Sequence, residues 1–202
     1  MWISHVPYQS AEGRLRQLYD RVKGPGDNVD NIMLAHSLRP HSMEGHMSLY
    51  KYVLHHPGNL LPKWFLEALG VYTSLLNRCA YCVEHHHAGM QRLLKDDARA
   101  AAIRRALESA ELADAFDAQQ VAALEYAAAL TRAPQDGPPL QQRLLAMRNA
   151  GLDDGRILEV NQVVAYFNYA NRTVLGLGVS TQGDILGLSP NNADNPADWS
   201  HR

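Results

Sequence analysis

Cysteine is nearly absent from this chain: two residues in 202, Cys79 and Cys82. So few thiols exclude a disulfide scaffold, which needs several bridges to hold a small core together. Long apolar runs are missing too. No stretch approaches the roughly 18 consecutive apolar residues that a spanning helix needs, so no membrane partner is expected. Nor is there a surplus of positive charge. With 19 Lys+Arg against 21 Asp+Glu the formal net charge is −2 at pH 7. No cations are left over to neutralise phosphates, and no nucleic-acid partner is expected. The opening MWISHVPYQS lacks the basic stretch followed by an apolar one that marks a secretory leader. These absences set the expectation of a soluble, cytoplasmic protein.

What is present is ordinary in bulk. The hydrophobic class makes up 46 % of the residues and charged residues 20 %, enough apolar surface for one packed core and too much for a disordered chain. Breakers cut the sequence into pieces of helical length. Ser10 to Lys23 carries Leu15, Leu18, Tyr19 and Val22 at three- and four-residue spacing and stops at Gly24-Pro25-Gly26, the pattern of an amphipathic helix. The short apolar piece Ile32 to Ala35 follows. Pro40 then opens a helix bearing Met43, Met47, Tyr50, Val53 and Leu54, closed by the turn residues His56-Pro57-Gly58-Asn59. Pro62 suits the first turn of a helix running to about Asn77. Arg78 to Leu94 and Asp97 to Glu108 continue the pattern. Asp117 and Gln120 have capping-box spacing before an apolar run to Leu130.

Pro134 to Pro139 reads as a loop, about Leu140 to Asn149 as a helix, and Asp153 as the cap of a long segment through Val174 or beyond. The tail from Ser189, with Pro190, Asn192, Asp194 and Pro196, reads as polar and irregular. No strand-like alternation persists. The expected fold is all-α: a single-domain multi-helix bundle, with an N-terminal segment over 1–29, the helical domain over 30–180 and a polar tail over 181–202. Residues 62–87 and 154–177 each show an apolar helix ending near an Asn (Asn77, Asn168). That is the outline of a repeated helical hairpin, although any two helical hairpins share as much.

One constellation is sharp: Cys79-Ala80-Tyr81-Cys82-Val83-Glu84-His85-His86-His87. Without a secretory leader, C-x-x-C reads as redox or metal before it reads as structural. A disulfide closing so short a loop removes little freedom from the unfolded chain, so it is a poor staple. A zinc finger wants its histidines about a dozen residues beyond the second cysteine. Here they come three to five residues on and the next is His201, so a metal site would have to borrow His36, His41, His46, His55 or His56. No metal and no other cofactor is expected, and a dithiol redox centre is the best reading. On a helix, with Cys82 at zero, Cys79 lies at roughly +60°, His86 at roughly +40° and His85 near −60°. Cys79, Cys82 and His86 therefore share a face. If the helix begins at Asn77 or Arg78, both sulfurs lie near its positive end, which favours thiolate. His85 and His87 are expected at the surface or an interface, and Tyr81 as packing beside the dithiol. By periodicity alone Glu67 is a solvated residue of an amphipathic helix.

Glu67, eleven residues, Cys79-x-x-Cys82, three residues and His86 resemble the signature of the AhpD-like alkylhydroperoxidases, in the carboxymuconolactone decarboxylase superfamily of all-helical oligomers. Ser37-Leu38-Arg39-Pro40 with Met43, Ser74 to Cys82, and Val163 to Asn168 with Asn171-Arg172 resemble the peroxidase-related branch of that family. The matches span most of residues 30–180. The resemblance implies a proton relay among Glu67, His86 and the thiols, with Cys82 attacking and Cys79 resolving. It implies a peroxide substrate, an external dithiol or protein reductant, and a homo-oligomer. The AhpD motif often carries a His just before the second cysteine; Tyr81 stands there in this chain.

Other signals read blandly. Asn171-Arg172-Thr173 is a chance sequon, and Gly176-Leu177-Gly178 lacks the strand and third glycine of a dinucleotide loop. Met33, Met43 and Met47 are expected in the core, with a Met-rich patch able to accept an apolar substrate. Asn168, Tyr169 and Arg172 either line a pocket or bond helix to helix. Trp2 and Trp199 are expected to pack on a neighbouring subunit. Two other functions compete: a cofactor-free decarboxylase or isomerase of the carboxymuconolactone type, which has no use for paired thiols, and a non-enzymatic redox switch.

Overall fold

The computed structural model describes residues 1–191, 193, 195 and 198–200. Among them are nine α-helices and no strand: α1 Gly13–Val22, α2 Asn31–Ala35, α3 Pro40–Tyr50, α4 Lys63–Leu76, α5 Ala80–Leu94, α6 Asp97–Ser109, α7 Ala118–Arg132, α8 Gly137–Asn149 and α9 Asp154–Leu177. None is long and apolar enough to cross a membrane. His201, Asn192, Asp194 and Pro196, noted in the sequence, lie outside the described residues.

Local chemistry sets the helix ends. Asp117 and Gln120 close a reciprocal capping box on α7, and Asp153 Oδ1 accepts from Arg156 N at 2.8 Å to start α9. Gly178, at φ 62°, takes the left-handed conformation that ends α9. α8 begins at Gly137, so Pro138 and Pro139 lie in its first turn rather than in the expected loop. Proline lacks an N–H that this turn would leave unpaired anyway. Pro62 caps α4 from just outside. α3 runs on into a π-helical turn over Lys51–His55. Residues 154–177 form one unbroken helix, so the hairpin-repeat outline is not a repeat.

α4 is the central helix. Ten consecutive residues, Phe65 to Ser74, are buried, as happens when a helix is covered on all sides. The main core joins it to side chains of α5, α6, α7, α8 and α9. Gly70 permits the closest approach: a Cβ there would fall 2.1 Å from Phe167 Cζ on α9. A second cluster gathers Tyr8, Leu15, Leu18, Tyr19, Met33, Met43 and Met47 around Trp199. Trp199 is 1 % exposed and lies under the Arg21 guanidinium at 3.9 Å. The expectation that it packs on another subunit is therefore wrong, because the tail folds back and the chain buries its own tryptophan. Trp2 remains exposed over Gly178.

The tail is anchored by polar contacts as well. The buried Lys51 ammonium donates to Asn195 O at 2.7 Å, to Asn191 Oδ1 at 3.4 Å and to Asp198 O. Gly187, at φ 76°, lies flat on α5, where an added Cβ would meet the Ala88 carbonyl carbon at 2.7 Å.

Candidate functional site

The α4–α5 junction is built from polar side chains. Arg78 adopts φ 57°, which turns the chain sharply. Asn77 Nδ2 donates to Asn168 Oδ1 at 3.0 Å and Asn171 Oδ1 at 2.9 Å, and Asn171 Nδ2 donates to Ser74 Oγ at 3.0 Å. Asn168 thus bonds helix to helix. This network fixes the start of α5 against α9. Cys79 is the N-cap residue of α5, outside the helix, and Cys82 lies in its first turn. The sequence expectation that the helix begins at Asn77 or Arg78 is corrected to a start at Ala80, because Arg78 and Cys79 have non-helical backbone angles.

Both thiols are reduced and buried, Cys79 at 0 % and Cys82 at 2 % exposure. Their titrations are pulled apart. The hydrogen bond from the Cys82 thiol holds Cys79 below the usual thiol range, against burial, with help from the Cys82 backbone N–H. The same bond, burial and the charge on Cys79 push Cys82 well above that range, and only the Asn171 side chain opposes them. The first negative charge of the pair therefore rests on Cys79, at the positive end of α5.

Glu67 is 1 % exposed, so the reading of a solvated carboxylate fails: α4 has no solvent face at that level. Glu67 Oε2 bonds to His86 Nδ1 at 2.6 Å, and Oε1 faces His55 Nε2 at 3.7 Å. His86 is held edge-on by Phe167 at 4.5 Å and Tyr50 at 5.9 Å. Cys82 and His86 line one cavity with His85, Tyr81, His46, Tyr50 and Tyr166. Its other walls include Asp30, Met33 and Met47 and, from the tail, Leu188, Ser189 and Pro190. The free space is about 50 Å³, room for a few water-sized molecules. Cys79 is not among the lining residues.

The histidine run divides unexpectedly. His85 is buried, not superficial: its Nε2 bonds to Asp184 Oδ2 at 3.1 Å and its ring packs on Tyr81 at 4.5 Å. The tail covers the flank of α5 that the sequence leaves to solvent. His87 is half-buried on the α6 side, and burial lowers its pKa. Tyr81 also does more than pack. Its hydroxyl donates to Asp184 Oδ2 at 2.8 Å and accepts from Ile32 N at 3.2 Å.

Burial tunes the remaining groups. His46 is pulled down to about 3, first by burial and then by the charges of His36 and His86. His55 falls to about 4 through burial, against the pull of Glu67. Both rings are neutral near pH 7. Burial raises Tyr50, Tyr81 and Tyr166 well above the phenol range, so all three are hydroxyl donors or acceptors. Among the described residues, no three His, Cys, Asp or Glu side chains are arranged to hold a metal ion.

Sequence reasoning missed Asp184, Tyr50, His46 and Tyr166. Their only signals were burial-prone ring types at helical spacing and a lone tail carboxylate, and neither points to a site.

No protein-family model and no curated protein matches the chain. Solved structures do. An uncharacterized peroxidase-related protein from Ralstonia eutropha JMP134, described as an alkylhydroperoxidase AhpD core, superposes with a TM-score of 0.76 at 21 % identity, covering 92 % of this chain and 95 % of that one. An uncharacterized peroxidase-related protein from Silicibacter sp. TM1040 gives 0.66 at 24 % identity, over 75 % and 76 % of the two chains. A protein of unknown function from Agrobacterium tumefaciens gives 0.60 at 20 % identity, over 72 % and 93 %. The single-domain, all-α architecture of this chain is the AhpD-type helical fold.

Proposed function

We propose that the chain is a thiol-dependent peroxidase that cycles Cys79 and Cys82 between dithiol and disulfide. The observation that carries this reading is the 2.6 Å Glu67–His86 hydrogen bond, made by a ring that lines the same small cavity as Cys82. Glu67 occupies His86 Nδ1 and leaves Nε2 for the Cys82 proton, which activates the thiol as a base activates any weak nucleophile. The Cys82 thiolate attacks the terminal peroxide oxygen. The S–O bond forms, the O–O bond breaks, and water or an alcohol departs, leaving Cys82 as sulfenic acid.

The second step suits Cys79. It is the thiol whose proton is lost more readily, and it attacks the Cys82 sulfur to expel water and close the disulfide. Access favours Cys82 for the first step, acidity favours Cys79 for the second. An external dithiol then returns two electrons by thiol–disulfide exchange. The cavity volume supports hydrogen peroxide or a small organic hydroperoxide as substrate. The fold shared with peroxidase-related proteins supports the same class.

The test is steady-state peroxide consumption with a dithiol reductant. Wild type is expected to turn over repeatedly, Cys82→Ser to fall to background, and Glu67→Gln to lose about 100-fold, the ordinary worth of a positioned proton acceptor. Full activity in Cys82→Ser overturns the mechanism. One stoichiometric oxidation without turnover would instead identify a redox switch.

A further inference from the structure

α5 carries two imidazoles beside Cys82, three and four residues along, and each is backed by a buried carboxylate from a different part of the chain. His86 leans on Glu67 of α4. His85 leans on Asp184 of the tail at 3.1 Å, and the Asp184 side chain is 2 % exposed. Consecutive helical residues stand about 100° apart, so the two rings flank Cys82 on opposite sides, and both line its cavity. Asp184 is fully engaged. Besides His85 it accepts from the Tyr81 hydroxyl at 2.8 Å and from Asn31 N at 3.1 Å on both oxygens. A carboxylate this deep is costly unless it is compensated. The His85 ring, the Tyr81 hydroxyl and the Asn31 N–H supply that compensation together.

We propose that His85, positioned by Asp184, is the acid that protonates the oxygen leaving when Cys82 attacks a peroxide, an inference resting on the peroxidase reading above. The two pairs then divide the work. Glu67–His86 takes the thiol proton on one side, and Asp184–His85 gives a proton on the other. As the S–O bond forms, the electron pair of the O–O bond passes to the departing oxygen, which takes the His85 proton and leaves as an alcohol. Solvent returns a proton to His85, matching the one that Cys79 releases when the disulfide closes. The His86 proton goes to the hydroxide expelled in that second step, so the count closes. His85 touches the reacting atoms; Asp184 acts through it.

Leaving-group chemistry tests this. tert-Butoxide is a strong base and needs a proton as it departs. Acetate, released from peracetic acid, does not. Single-turnover oxidation of the reduced dithiol is measured with tert-butyl hydroperoxide and with peracetic acid. The ratio of the two rates is taken within each variant, so a smaller folded fraction cancels. His85→Gln and Asp184→Asn are expected to slow the hydroperoxide reaction about 100-fold, the typical worth of a general acid, while barely affecting the peracid reaction. Glu67→Gln is expected to slow both alike, because it acts on the nucleophile. A ratio unchanged from wild type in His85→Gln overturns the proposal, since a structural role would slow both substrates equally. Oxidation that proceeds normally in Cys82→Ser would instead overturn the peroxidase reading itself.

Discussion

Glu67 and Asp184 do the same thing chemically, each presenting a buried carboxylate to a histidine of α5, yet the chain holds them in opposite ways. Glu67 is part of the helix covered on every side by the bundle, ten residues of which are buried in an unbroken run. Asp184 sits in an irregular segment that stays in place through side-chain hydrogen bonds, the Lys51 clamp and the burial of Trp199. One side of the cavity is built into the core; the other is strapped on. The difference leads to the expectation that the Asp184 side opens at a cost below global unfolding and that the Glu67 side opens only with the bundle.

Two matched glycine substitutions separate the sides. Gly70→Ala drives a methyl into the Phe167 ring, which also braces His86. Overpacking of a rigid core is expected to lower global stability by about 2–3 kcal/mol, outweighing the gain of about 1 kcal/mol from helix propensity. Gly187→Ala meets the backbone of α5 at 2.7 Å from a left-handed conformation, but its segment can lift away. Global stability in denaturant is expected to fall by less than in Gly70→Ala, by no more than the cost of lifting the segment, while alkylation of Cys82 and hydrogen exchange in residues 181–191 accelerate. Equal loss of global stability in both variants would show that strap and bundle unfold as one unit.

Acid should reveal the same asymmetry. His46 and His55 lie on the bundle side with native pKa values of about 3 and about 4, against about 6.5 in an unfolded chain. Between these values the unfolded state binds more protons. Their contribution to stability is therefore complete above pH 6.5 and is lost as pH falls toward 4 and then 3, at about 1.4 kcal/mol per pH unit for each whole proton. Thermal midpoints measured from pH 7 to pH 4 are expected to fall in wild type. In His46→Gln, which keeps a polar group facing Tyr166, the slope should be shallower by about one proton. An unchanged slope would remove His46 as a source of acid sensitivity.

The contrast also explains what could be read in advance. Helix boundaries were legible wherever a side chain sets them locally, as at Asp117 and Asp153. The prolines at 138 and 139 misled because the same residue type ends one helix and starts another. Glu67 was legible only through its spacing from the cysteines. Its own surroundings in sequence fit a solvated face, and burial came from packing partners far along the chain. Asp184 was not legible at all. It lies 103 residues from Tyr81 and 153 from Asn31, and a tail carboxylate has no local mark to distinguish it. His85 reads as a surface or interface residue because helical periodicity carries no trace of a tail segment that returns to cover it.

Only a small effect on stability is expected at the residue where the chemistry is most exacting. α7 and α9 start with aspartates whose oxygens accept backbone N–H groups; α5 starts with Cys79, a weaker acceptor. Cys79→Ser supplies a hydroxyl, a better cap, at a junction already held by Asn77, Asn171 and Ser74. Stability should rise or fall by less than about 1 kcal/mol. Turnover should nonetheless vanish, because Cys82 can still be oxidised but finds no neighbouring thiol to close the disulfide. A sulfenic-acid-trapping nucleophile such as dimedone should then label Cys82 in Cys79→Ser after one equivalent of peroxide, and label wild type far less. Labelling of neither protein would mean that Cys82 is not the thiol attacked first. In that case Cys79, the more acidic thiol of the pair, would have to meet the peroxide from outside the cavity that Cys82 lines.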